Sequence, residues 1–251
     1  MGNNMLQDLV MAGVKWELKE SSTKPESKSE PIQQTFADQN RANRTNVQPM
    51  IIPASAPITL DTVKSMVERP GDADSLVRMI GEFNHPLKNG ATNVVLPNIA
   101  SNPNGLMIVT DIPSSDDDLS GNVLSGAAGE MIDKMLAAID MSRENVSIMP
   151  LIFWRTPGGR TPNREELDLA RPFVDKMIEM LKPRVIITLG TLATTEIAGT
   201  NLTTVHGTVL HSDNGYIIVP LFHPNYLILK PSAKRDVWTA LQNIQKLLKN
   251  Q

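Results

Sequence analysis

Residues 185–191 read Val-Ile-Ile-Thr-Leu-Gly-Thr. The run VIITL has the length of a strand and does not alternate apolar with polar residues, the pattern of a strand covered on both faces. Gly190 follows at once and suits a strand-to-helix turn, where the lack of a side chain helps. Three other runs share this character: residues 106–109 (LMIV), 146–152 (VSIMPLI) and 217–222 (IIVPLF). Amphipathic stretches separate them. Residues 129–139 place Met131, Ile132, Met135, Leu136 and Ile139 on one helical face, and residues 165–181 do the same with Leu167, Phe173, Val174, Met177, Ile178 and Leu181. Thr161 and Pro162, followed by Glu165 and Glu166, supply a helix start with proline early and carboxylates in the first turn. Residues 232–248 form a last helix through Val237, Trp238, Leu241, Ile244 and Leu248. Strands alternating with helices predict an α/β fold: three layers, α/β/α, around a central, mostly parallel four-stranded sheet. Such sheets bind ligands beyond the C-terminal ends of their strands.

Further toward the N-terminus, Val63, Met66, Val67, Leu76, Val77 and Ile80 predict one broken helix or two short ones around Pro70 and Gly71. Residues 6–18 carry Leu6, Leu9, Val10, Val14 and Leu18 at helical spacing, a helix too short to persist without a surface to dock on. Residues 19–57 are rich in Ser, Thr, Lys, Glu, Gln, Asn and Pro, which cannot bury enough apolar surface to offset ordering entropy. The chain therefore divides into an N-terminal helix and disordered linker, residues 1–57, and one domain, residues 58–251.

Composition narrows the chemistry. Hydrophobic residues at 41% and charged residues at 20% are ordinary for a globular protein. A net charge of -3 creates no general attraction to a polyanion, so any nucleic-acid contact has to use a local basic patch. With no cysteine, thiolate metal sites, disulfides, cysteine nucleophiles and cysteine-held iron-sulfur clusters are excluded. No run of about 18 apolar residues and no secretion signal are visible, which predicts a cytoplasmic protein without a membrane span.

The unusual residues fall just past the strand ends. The first strand runs into Thr110-Asp111-Ile112-Pro113-Ser114, the second into Phe153-Trp154-Arg155-Thr156-Pro157-Gly158-Gly159-Arg160, the third into Gly190-Thr191 and the fourth into His223-Pro224-Asn225-Tyr226. Each has a plain structural reading as well as a chemical one. Asp111 suits a turn or a helix cap, His223 a strand-end histidine with one backbone hydrogen bond, and residues 155–160 a solvated crossover. Their joint placement on one rim raises the chemical reading.

Several blocks carry a family likeness. They are Asp116-Asp117-Asp118, Val123-Leu124-Ser125-Gly126, Ile132-Asp133-Lys134-Met135-Leu136, Arg160-Thr161-Pro162, Arg171-Pro172-Phe173, Leu181-Lys182-Pro183-Arg184-Val185-Ile186, Phe222-His223-Pro224-Asn225-Tyr226-Leu227 and Ala233-Lys234-Arg235-Asp236-Val237-Trp238. In order and spacing they resemble the iron-sulfur class of uracil-DNA glycosylases, family four, from about residue 76 to residue 248. The resemblance places the four cluster cysteines of that family at Glu82, His85, Trp154 and Ala170, so it implies a member without its cluster, and no other metal or cofactor is suggested. It also implies changes in the base pocket. The stacking Phe aligns with Leu124, which has no aromatic face, and the base-reading Asn aligns with Pro150, which has neither amide nor backbone N–H. The Glu of the first turn becomes Asp111, and the Arg after the His-Pro block becomes Leu229, with Lys230 beside it.

The resemblance implies that Asp111 orients or activates water at the sugar's anomeric carbon and that His223 hydrogen-bonds the departing base. Ile112, Pro113, Ser114, Leu124 and Pro150 would form the base pocket. Arg155, Arg160, Lys230, Lys234 and Arg235 would meet the DNA backbone. The partner implied is DNA, damaged or single-stranded, bound by a monomer. The expected activity is release of uracil or another deaminated base flipped out of DNA. The alternative is a catalytically impaired relative that binds nucleic acid, a nucleotide or a protein.

Overall fold

The computed structural model describes residues 58–249. The helix and linker read in residues 1–57 lie outside that span. The elements run α1 (Leu60–Val67), α2 (Ala73–Glu82), β1 (Leu106–Thr110), α3 (Ser115–Ser120), α4 (Gly126–Ala137), β2 (Val146–Pro150), α5 (Arg164–Leu181), β3 (Val185–Leu189), α6 (Thr191–Ala198), α7 (Leu202–Val205), β4 (Leu210–His211), β5 (Ile217–Leu221), α8 (Pro224–Leu229) and α9 (Lys234–Lys249).

The sheet has five strands in the order β2-β1-β3-β5-β4. β2, β1, β3 and β5 are parallel, in the register Leu106 opposite Val146 and Val185, and Val185 opposite Ile217. These are the strands expected from the apolar runs. The addition is β4, two residues antiparallel to β5, too short to leave a periodicity in the sequence.

Residue parity along the strands sorts the core into two layers, as a period of two demands. Leu106, Ile108, Val146, Ile148, Val185, Ile187 and Val219 pack with Ile132 and Leu136 of α4 and with Val237, Leu241 and Ile244 of α9. Their neighbours Met107, Val109, Met149 and Ile186 face the other way, onto Val63, Leu76 and Ile80 of α1 and α2 and Phe173, Val174 and Met177 of α5. Both faces are covered, which is why the strands read as continuous apolar runs.

The first helical stretch is two helices, separated around Pro70 and Gly71. α5 begins later than Thr161 and Pro162 suggest. Asn163 is its N-cap and forms a capping box with Glu166, its side chain accepting from the Glu166 N–H at 2.8 Å while the Glu166 carboxylate accepts from the Asn163 N–H at 2.8 Å. The chain leaves β1 outward to β2 and returns across it to β3. The order therefore reverses between β1 and β3, the place where open α/β sheets form ligand crevices.

Candidate active site

At that reversal Asp111 leaves the end of β1 and turns its carboxylate onto the start of α6. Its Oδ1 accepts from the Ala193 N–H at 2.7 Å. Gly190, the α6 N-cap, has φ 105°, and a β-carbon there would collide with the Asp111 carboxylate. Gly190 is therefore required twice, for its backbone conformation and for the space it leaves. Burial pushes the Asp111 carboxyl up to about 6, against the pull of the Ala193, Thr191 and Leu192 amides. The helix-cap reading of this aspartate is thus realised, in a form that reaches across from another strand. Gly190→Ala is expected to displace the carboxylate from the Ala193 amide. A crystal structure of the variant with Asp111 still on Ala193 would contradict that expectation.

His223 stands at the end of β5 as the N-cap of α8. Its Nδ1 accepts from the Asn225 N–H at 3.2 Å, which leaves the proton on Nε2. Nε2 has no protein partner among the described residues. Burial pushes the imidazole down to about 4, with the Asp117 carboxylate opposing the shift, so the ring is neutral at pH 7 and Nε2–H is a free donor.

Asp111, Ile112, Pro113, Ser114, Arg155, Gly159, His223 and Asn225 line one cleft of about 250 Å³. The structure thus brings together six residues singled out from the sequence. It does not bring Leu124 or Pro150 to that lining. Leu124 is buried in the core at φ 51°, and Pro150 ends β2 opposite Thr110. Arg155 presents a buried Nε without a protein partner. Arg160 is engaged in a bidentate pair with Glu166, at 2.8 and 2.5 Å, which holds the Glu166 carboxyl below its usual range. Lys230, Lys234 and Arg235 are exposed along α8 and the start of α9, with no carboxylate partner among the described residues. Of the two remaining lining residues, the resemblance sets Gly159, in the Pro157-Gly158-Gly159 turn, against the DNA backbone, and Asn225 was quoted in a strand-end loop without a role. A third contributor, Asp117, was legible as the last residue of a Ser-x-x-Asp capping pattern beginning at Ser114.

The four positions aligned with cluster cysteines do not fit a cluster. Glu82 is exposed at the end of α2, and Ala170 is buried without a donor atom. His85 has both ring nitrogens occupied. Nε2–H donates to the Glu166 carbonyl at 3.0 Å and Nδ1 accepts from the Leu87 N–H at 3.2 Å. The ring is stacked on Trp154, centroids 4.5 Å apart and planes 4° from parallel. Among the described residues no group of three or more His, Cys, Asp or Glu side chains could hold a metal ion, and no helix is long and apolar enough to cross a membrane.

Comparison with known proteins adds an independent line. The family model described as the uracil DNA glycosylase superfamily matches residues 98–244. A type-4 uracil-DNA glycosylase of Archaeoglobus fulgidus is 27% identical over 165 residues, covering 62% of this chain and 82% of that protein. One from Pyrobaculum aerophilum is 33% identical over 141 residues, 53% of this chain and 72% of its own. A third, from Thermotoga maritima, is 28% identical over 171 residues, 66% and 88% respectively.

Proposed function

The chain belongs to the uracil DNA glycosylase superfamily, and from that membership we propose that it hydrolyses the N-glycosidic bond of uracil or another deaminated base turned out of DNA, as in base excision repair. The observation that carries the proposal is the pairing, on one cleft, of a half-buried carboxylate at Asp111 with a neutral imidazole at His223 whose Nε2–H is free. The two groups match the two charges that develop as the bond breaks. The sugar acquires oxocarbenium character, which a carboxylate in a site of low dielectric stabilises. The base leaves with negative charge on a carbonyl oxygen, which can accept from Nε2–H. Water adds its oxygen to the anomeric carbon and passes a proton toward Asp111, whose pKa of about 6 suits a base near neutrality. Arg155, Lys230, Lys234 and Arg235 are the donors for flanking phosphates. Arg160 would need to contact phosphate while remaining paired with Glu166. No residue role depends on a cluster.

One observation favours the alternative of a binding protein without chemistry: Oδ1 of Asp111 is already held by Ala193. The two readings part in one assay. Single- and double-stranded oligonucleotides carrying uracil, hypoxanthine or xanthine are incubated with the protein, and abasic sites are then cleaved. Strand breaks are expected with at least one of these bases. Their rate should rise with pH through about 6, as Asp111 loses its proton, and show no further inflection down to about 4, where His223 would charge. Binding without strand breaks for any of the substrates would leave the alternative standing.

A further inference from the structure

The acidic run at residues 116–118 contains one carboxylate whose environment differs from that of a solvated face. Asp117 is 4% exposed. Oδ2 accepts from the Ser114 N–H at 2.9 Å, while the Ser114 hydroxyl accepts from the Asp117 N–H at 3.1 Å, which closes the capping box of α3. Capping needs nothing more. Yet Oδ1 reaches away from the helix to the Ser125 N–H, at 2.6 Å. A single side chain thereby joins the Pro113 and Ser114 lip of the cleft to the turn that opens α4.

That turn is held from its other side as well. Leu124 sits at φ 51°, a conformation leucine keeps only when its surroundings impose it. The Arg143 guanidinium donates to the Val123 carbonyl at 2.8 Å and to the Leu124 carbonyl at 2.7 Å. Gly129 leaves the space that the Leu124 carbonyl occupies, since a β-carbon there would collide with it. The turn is gripped by a cation on its carbonyls and by the Asp117 anion on its amide. Asp117 is also the charge that His223 feels most directly.

We infer that Asp117 is a positioning residue for the cleft, fixing the Pro113 and Ser114 lip against the Leu124 turn and opposite His223. The inference rests on the proposed base-release activity for its catalytic consequence, and on geometry alone for its structural one. Asp117→Glu separates positioning from capping, because Glu at this helix position closes a capping box as well as Asp does but no longer matches the distance to Ser125. Asp117→Asn removes the charge and leaves one oxygen for two amides.

Both variants are expected to lower the single-turnover rate at saturating DNA by roughly 10²-fold, the scale of a misplaced catalytic group, with affinity for undamaged oligonucleotide unchanged. Asp117→Glu should still unfold in one cooperative step, with its thermal midpoint lowered only by what the loss of the single bond to Ser125 implies. In amide hydrogen exchange, Ser125 should lose protection in Asp117→Glu while Ser114 keeps it. An Asp117→Glu protein that releases base at the wild-type rate and keeps Ser125 protected would show a cap and nothing more, and would overturn the inference. Should the wild-type protein release no base, the proposed function fails, while the exchange experiment still decides whether Asp117 ties the two turns. Should Asp117→Asn not fold, Asp117→Glu carries the test.

Discussion

Asp111→Asn and His223→Ala are each expected to reduce the single-turnover rate of base release by roughly 10² or more with little change in DNA affinity, because each group acts mainly on charge that exists only in the transition state. The same variants should leave opposite marks on stability. The Asp111 carboxyl is raised from 3.8 to about 6 in the folded protein, so its favourable contribution is present below about 3.8 and is lost as pH rises through about 6. Above that, the half-buried anion destabilises the fold by an amount on the order of 2 kcal/mol. Asp111→Asn should therefore raise the thermal midpoint at pH 7.5, and the gain should vanish near pH 4. His223 shifts the other way, from 6.5 to about 4. Its contribution is present above about 6.5 and is lost as pH falls through about 4, so His223→Ala should unfold less readily in acid. Calorimetry at several pH values reads both effects beside the kinetics. Full single-turnover activity in both variants would remove this cleft from the reaction. An inactive Asp111→Asn that is also less stable at pH 7.5 would mean that the aspartate serves α6 rather than the substrate.

A carboxylate whose burial opposes folding is what a trade-off between stability and activity would leave at a site shaped for chemistry. Here its physical origin can be named. Asp111 lies where the sheet order reverses, which half-buries it, and the first amides of α6 compensate in part. Gly190 makes this possible by having no side chain. In the sequence Gly190 reads as a turn residue and Asp111 as a carboxylate at a strand end. Nothing in either reading says that they touch, because they are brought together by the adjacency of β1 and β3.

The same distinction explains what else was legible. Strands covered on both faces leave an unbroken apolar run whatever their neighbours, so β1, β2, β3 and β5 could be read directly, and the helices followed from their spacing. β4 could not, since two residues carry no period. The cap of α5 at Asn163 was obscured by Thr161 and Pro162, which resemble a helix start and lie in the preceding turn. Leu124 was assigned to the base pocket by alignment with an aromatic residue. Its left-handed backbone, set by Arg143 and Gly129 from outside the turn, directs it into the core. The residues that line the cleft were found because they follow strand ends. Asp117 is half recorded, since its bond to Ser114 is a capping pattern while its reach to Ser125 is not, and the bonds of Arg143 to Val123 and Leu124 span a distance along the chain that a linear pattern does not record.

Trp154→Ala is expected to cost roughly 3–5 kcal/mol, the range for deleting a large buried aromatic side chain. Trp154 is fully buried, stacks on His85, and has Phe83 and Phe153 at 5.9 and 5.7 Å. Through His85 it reaches the Glu166 carbonyl, and the Glu166 carboxylate in turn holds Arg160 at the end of the loop that supplies Arg155 and Gly159 to the cleft. The three segments to which the resemblance assigns cluster positions are joined here by an aromatic stack and a chain of hydrogen bonds. Filling such a space with apolar volume can be neutral for stability, so the fold need not have lost anything in the exchange. His85→Ala should cost less, about 1–3 kcal/mol, the scale of leaving a buried carbonyl without its partner. Because the two rings stack, the double variant should be less destabilised than the sum of the single ones. Trp154→Phe offers a sharper comparison. It keeps a ring against His85 and removes the buried Nε1–H, which has no partner, so it should stay within about 1 kcal/mol of the wild type. Thermal unfolding of the four variants beside the wild type, with and without prolonged exposure to an iron chelator, reads the whole set. The chelator is expected to change none of the midpoints. A midpoint that falls with the chelator, or a Trp154→Ala protein as stable as the wild type, would show that something other than this stack holds the loop.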